Sequence, residues 1–190
     1  MNWNDITIGQ FQELQNIKQL TYDFEIEKEI AILSALSGQS TEQLEALPKS
    51  KLVDLSRKAS FINEPMSEKL TSYFRCGSRV FKVNLKAESI TAEQYILLNK
   101  YTATDESTIE NLHYIIAILT NEKKYWVITK KFDYDFEGKS QLFKNELSIN
   151  KVFASSVFFC KVYKKWLEVS ETYLIEKTKE MLQKVNNEMM

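Results

Sequence analysis

The chain has 190 residues, of which 44% are hydrophobic, 12% aromatic and 27% charged, and its formal net charge is −1. That much apolar side chain offsets the entropy of folding and excludes a disordered chain. With 4 Gly and 2 Pro, a collagen-like or linker protein is excluded and a turn-rich β-sandwich is disfavoured.

From the N-terminus, three capping boxes mark helix starts: Thr7 with Gln10, Ser40 with Gln43, and Thr91 with Gln94. The first opens a helix carrying Phe11, Leu14 and Ile17. A second helix is expected from Asp23 to Ser37, with Ile26, Ile30, Leu33 and Leu36 as its apolar stripe and Gly38 as its stop. A short helical turn follows from Thr41 to Leu47. The next helix, from Ser50 to Ile62, is expected to turn Leu52, Val53, Leu55 and Ala59 inward. Alternation around Cys76, Gly77 and Ser78 then predicts a two-stranded hairpin between residues 72 and 85.

Helices resume from Thr91 to Tyr101 and from Asp105 to Thr120, the latter with Ile109, Leu112, Ile116 and Leu119 in register. Tyr125 to Ile128 has the composition of a strand, and Phe132 to Gly138 that of a loop anchored by aromatics. A short helix from Ser140 to Leu147 leads into a long helical tail starting at Ser148, whose apolar side holds Val152, Phe153, Val157, Phe159, Val162, Tyr163 and Trp166.

The chain also repeats itself. Ile6 to Leu14 aligns with Ile90 to Leu98 at an offset of 84, and Ile30 to Ser34 with Ile116 to Thr120 at an offset of 86. In each half a capped helix precedes an apolar one, which reads as an αα-hairpin occurring twice. The expected fold is therefore mainly α: two related αα-hairpin units, a small β-hairpin near residues 72–85, and a long C-terminal helical region. Residues 1–190 are expected to form a single domain. Its parts are a first helical unit (1–66), the β-hairpin with the second helical unit (67–124), and an aromatic loop with C-terminal helices (125–190).

The catalytic inventory is thin, with 1 His and 2 Cys. No Gly-rich phosphate loop, nucleophile elbow or zinc spacing occurs. His113, beside Leu112 and Tyr114, reads as a packed or surface histidine rather than a base. Asp133, Asp135 and Glu137 lack the ligand number and spacing of a calcium loop. Cys160 reads as an inert core residue. Cys76, placed at an exposed hairpin turn, is a poor nucleophile. No catalytic, metal or cofactor-binding residue is assigned. With three arginines, Arg57, Arg75 and Arg79, bidentate phosphate or base contacts are few and nucleic acid is disfavoured. No stretch is apolar enough to suggest a membrane partner. Trp166, Tyr173 and Leu174, on a helical stretch that outlasts the dense apolar pattern, are candidate partner-binding anchors; for Trp166, core packing is the competing role.

The phrase from Trp3 to Leu14, together with Ser37-Gly38, Leu44 to Pro48, the hairpin from Phe74 to Val83 and Ile90 to Tyr95, resembles small proteins from the structural-gene blocks of tailed bacteriophages. These are tail assembly chaperones and related head–tail or neck proteins, including those of Bacteroides-infecting and crAss-like phages. The resemblance covers most of residues 3–120 and is silent on residues 148–190. It implies a non-enzymatic morphogenesis protein acting by protein–protein interaction. Its partners would be other phage structural or assembly proteins, with self-association into a ring as one form. Its place would be the host cytoplasm during assembly, or the virion. Such families have no catalytic residues, so none is carried over. The alternative is a helical nucleic-acid-binding or regulatory module, suggested by the Lys pairs of the second half.

Overall fold

The computed structural model describes residues 1–86, 89–124, 127–128, 135–159 and 161–162. In chain order, a 3-10 turn (Trp3–Asp5) precedes helices α1 (Ile8–Gln19), α2 (Glu25–Ser37), α3 (Thr41–Glu45) and α4 (Lys49–Ala59), the last running into a second 3-10 turn (Ser60–Asn63). Strands β1 (Tyr73–Cys76) and β2 (Arg79–Val83) follow, then α5 (Ala92–Tyr101), α6 (Asp105–Glu110) and α7 (Leu112–Leu119). Next come β3 (Thr120–Lys124), β4 (Val127–Ile128), α8 (Phe136–Glu146) and a helix, α9, over residues 149–159. The protein is mainly helical with a small antiparallel sheet. Among the described residues, no helix is long and apolar enough to cross a membrane.

All three expected capping boxes form. Thr7 Oγ1 accepts from the Gln10 amide at 3.2 Å while Gln10 Oε1 accepts from the Thr7 amide at 3.1 Å. Ser40 with Gln43 and Thr91 with Gln94 repeat the exchange, so two orphan donors are satisfied at each start. Gly38 ends α2 with φ 71°, a left-handed position where a side chain would be strained.

Several expectations need correction. The hairpin is part of a larger sheet: β1 pairs with β2, β2 with β3 and β3 with β4, all antiparallel. A two-stranded ribbon is marginal alone, and β3 supplies the third strand, pairing Val83 with Thr120 and Phe81 with Glu122. The single helix expected from Asp105 to Thr120 is broken at Asn111 and ends one residue early, where Thr120 turns extended and opens β3. On α2 and α4 one position of each expected apolar stripe is exposed, Ile26 at 49% and Val53 at 45%, while Leu52 and Leu55, half-buried, pack against the core as expected. Helix α8 begins at Phe136, so Phe136 to Gly138 is helix and not loop.

Residues 148–159 pack back onto the body. A short antiparallel bridge joins Thr7 to Ser148 through the Ile8 amide on Leu147 O and the Ile149 amide on Ile6 O. Ile149 and Val152 enter a core shared with Trp3, Phe11, Phe81 and Phe143. Phe159 reaches a second cluster with Leu98, Ile115, Ile118 and Leu119. The two serines that interrupt the apolar run are buried and satisfied: Ser155 Oγ bonds both the amide and the carbonyl of Thr71, and Ser156 Oγ donates to Val152 O. The long tail expected beyond this point lies outside the described residues.

Candidate interaction surface

The buried polar side chains bond mainly to the backbone at helix ends. The last four carbonyls of α7, from Ile116 to Leu119, lack an intrahelical partner, and each finds one elsewhere. Thr120 Oγ1 donates to Ile116 O at 2.8 Å and reaches Ala117 O at 3.4 Å, Gln94 Nε2 donates to Ile118 O at 2.8 Å, and the Asn84 amide to Leu119 O at 2.7 Å; just beyond, at the start of β3, Lys139 Nζ donates to Thr120 O at 3.2 Å. Lys139 is 1% exposed, and its cation sits where the negative end of the α7 dipole emerges. Gln94 thus does two jobs, closing the α5 cap and tying it to α7. Gln10 does the same in the first unit: its Nε2 donates to Ala35 O and Leu36 O at the end of α2. The sequence repeat is therefore matched by a repeated hydrogen-bond arrangement.

The break at Asn111 is supported from α1. Gln12 Nε2 donates to Ile109 O at 2.9 Å and to Glu110 O at 2.6 Å, and lies 3.1 Å from His113 Nδ1. Burial, reinforced by Lys144 and opposed by Glu137, lowers the His113 pKa to about 4. His113 is a buried structural group. Gln12 Oε1 is buried with no hydrogen-bond partner among the described residues.

Cys76 is buried, not exposed as expected; burial, with Glu146 nearby, pushes its thiol up to about 11, which removes the thiolate that nucleophilic chemistry needs. Asp135 caps α8 by accepting from the Gly138 amide, and Glu137 accepts from Tyr114 Oη at 3.0 Å. Among the described residues no group of three or more His, Cys, Asp and Glu is arranged to hold a metal ion. Asp133, Cys160, Trp166, Tyr173 and Leu174 lie outside the described residues.

The open feature is a cleft of about 400 Å³ between α2 and α4. Ile32 and Leu33 from α2 and Ala59 and Ile62 from the α4 end form its apolar lining; Glu25, Lys28, Glu29, Ser56, Ser60 and Asn63 supply the polar rim. Exposed apolar side chains also stand on α2, on α4 and on the segment leading into α2, outside the cleft lining: Leu20 at 59%, Phe24 at 66%, Ile26 at 49% and Val53 at 45%. Sequence reasoning missed this cleft because it assigned the same stripes to the core. A hint was present: Val53, Ser56 and Ser60 share one helical face, and small hydroxyl residues there leave room instead of filling it.

A mainly helical body with a small sheet, its buried polar groups bonded to backbone and an apolar-lined cleft left open, is the class the geometry defines. Comparison with protein-family models, characterised proteins and solved structures gives no match to this chain.

Proposed function

We propose that the chain is a non-enzymatic protein of tailed-phage morphogenesis, acting through its surface as a tail assembly chaperone or as a head–tail or neck component. The observation that carries the interaction reading is the α2–α4 cleft, with apolar lining, polar rim and four exposed large apolar side chains in the neighbouring segments. A groove of this kind suits the apolar face of an amphipathic segment, and exposed apolar surface rimmed by polar groups marks interaction sites. The phage assignment rests on the motifs quoted above, most of which now have a structural reason: Thr7 and Gln10, Thr91 and Gln94, Gly38, and the Gly77 turn.

An assembly chaperone would cover apolar surface of an unassembled partner; a virion component would bury the same face permanently in a larger interface. Quantitative mass spectrometry of purified particles, paired with co-expression beside the neighbouring structural proteins, tests both. Stoichiometric presence supports a virion component. Absence from particles, together with increased solubility of a co-expressed partner, supports a chaperone. A chain that is absent from particles and leaves every partner's solubility unchanged overturns the proposal.

A further inference from the structure

The small sheet sorts its charges between its two sides. Side chains alternate along each strand, and burial marks the inner side, where Phe74, Cys76, Phe81 and Val83 enter the core. The residues between them stand on the outer side: Tyr73 and Arg75 on β1, Val80 and Lys82 on β2, Asn121 and Lys123 on β3. The register sets Tyr73 and Asn121 on either flank of Lys82, and Arg75 opposite Val80. Glu122 is the one acid in these three strands. It lies on the inner side, opposite Phe81, and is paired there with Arg79. The outer side thus carries Arg75, Lys82 and Lys123 with no carboxylate of the sheet beside them. The ion pairs among the described residues, Arg57–Asp54 and Arg79–Glu122, use none of the three.

We propose that this outer side binds single-stranded nucleic acid, the phosphates lying along Arg75, Lys82 and Lys123 and a base stacking on Tyr73. Tyr73 is 48% exposed, and the Lys82 ammonium lies 6.0 Å from the centre of its ring, so a base on that ring brings its phosphate close to a cation. A sheet surface with an exposed ring among cations suits unpaired bases, whose faces a duplex hides. Val80, the aliphatic residue that β1 to β3 place on this side, is half-buried, which leaves no apolar side chain to enter a lipid layer. The scarcity of arginine bears on how a strand is read, not on whether it is held. Bidentate contacts to base edges draw on arginine, whereas lysines hold phosphates as point charges without reading sequence. The inference goes beyond the morphogenesis reading and does not depend on it.

Fluorescence anisotropy of the full chain with a labelled oligothymidylate of about 12 nucleotides tests it. The logarithm of the binding constant is expected to fall against the logarithm of salt concentration with a slope of about −2, roughly −0.7 for each of three phosphates held. Arg75→Gln combined with Lys123→Gln should weaken binding and bring the slope to about −0.7. Tyr73→Ala should weaken binding at least about fivefold with the slope unchanged, and Tyr73→Phe, which keeps the ring, should bind as the wild type does. Tyr73, Arg75 and Lys123 are exposed, and circular dichroism melting checks that each variant folds. Should Tyr73→Ala fail to fold, the salt slope of the doubly substituted chain decides. Lys58→Gln, at an exposed position of α4, should leave binding as it was. The proposal is overturned by no binding at low salt, or by equal binding of a duplex, of polyglutamate of matched charge or of anionic vesicles. It is overturned too if the oligonucleotide binds but neither the sheet cations nor the Tyr73 ring alters its affinity more than Lys58→Gln does.

Discussion

The two αα units begin alike and end differently. In both, a threonine caps the first helix and a glutamine three residues on bridges to the end of the second, Gln10 to α2 and Gln94 to α7. Beyond that the units diverge. Helix α2 buries Ile30, Leu33, Ala35 and Leu36, keeps a charged outer face, and stops at Gly38 in solvent. Helix α7 is buried on nearly every side, from Leu112 through Leu119 with Tyr114 half-exposed, and passes directly into β3. One arrangement thus serves two tasks. Helix α2 is an outer wall with a face left over for binding; α7 is a centre against which α5, α8 and β3 pack.

That difference predicts where damage is greatest. Phe143 of α8 is 0% exposed and packs edge-on against Phe81 at 4.7 Å and Phe74 at 5.4 Å, joining the sheet to the helices of the second unit. Phe143→Ala should lower the unfolding free energy by about 3–5 kcal/mol in urea titration. By contrast, Ile26→Ala on the first unit's outer face should stay within about 0.5 kcal/mol. Equal losses would mean that the outer face of α2 is as tightly packed as the core around Phe143.

Protonation should separate the units next. His113 belongs to the second unit and meets the first through Gln12; Lys144 and Glu137 face it from α8. Its folded pKa, about 4, lies below the ordinary 6.5, so the neutral form is the one the fold accepts. Above pH 6.5 this group exerts no penalty. As pH falls from 6.5 towards 4, the unfolded chain takes up a proton that the folded chain refuses, and stability drops by roughly 1.4 kcal/mol per unit, about 3 kcal/mol in all. Between pH 6.5 and 5, before most carboxylates titrate, the wild type should lose about 2 kcal/mol while His113→Gln loses far less. Parallel losses would remove His113 as the cause.

Much of this was legible in the sequence, because caps, glycine stops and period-3.6 stripes are local signals. The capping boxes at Thr7, Ser40 and Thr91, the stop at Gly38 and the hairpin turn at Gly77 needed nothing beyond neighbouring residues. What escaped depends on distant partners. Thr120 leaves the helix because β2 offers it a strand to pair with. Ser155 and Ser156 look like interruptions until the Thr71 backbone and the preceding α9 turn are placed beside them. Lys139 has the sequence signature of a surface lysine, yet its ammonium closes the end of α7. The cleft was hidden for the opposite reason: an apolar stripe announces that something will cover it, without saying whether the cover is this chain.

The repeated glutamine allows a closer comparison. Gln94 is 7% exposed and holds its α7 carbonyl at 2.8 Å, whereas Gln10 is half-buried and holds two α2 carbonyls at 3.2 Å each. Water can replace Gln10 but not Gln94, and an unsatisfied buried carbonyl is the larger loss. Gln94→Ala should therefore destabilise by about 2 kcal/mol and Gln10→Ala by about 1 kcal/mol, a difference of roughly 2–4 °C in melting temperature at this chain length. A reversed order would place the tighter joint in the outer unit.

The smallest expected effect comes from the one end that the units do not share. At Gly38 the backbone has φ 71°, and an added Cβ would meet nothing within 4 Å. The whole effect of Gly38→Ala is therefore the conformational strain of a left-handed alanine, about 1 kcal/mol. Gly38→Asn should lose less than that, because asparagine tolerates this conformation. Gly9, in the first turn of α1, is the contrasting case: a Cβ there would come within 3.0 Å of Lys144 O on α8, so its substitution acts by pushing two helices apart. If Gly38→Ala and Gly38→Asn were equally destabilising, the left-handed turn would not be what ends α2, and the outer wall would owe its shape to packing alone.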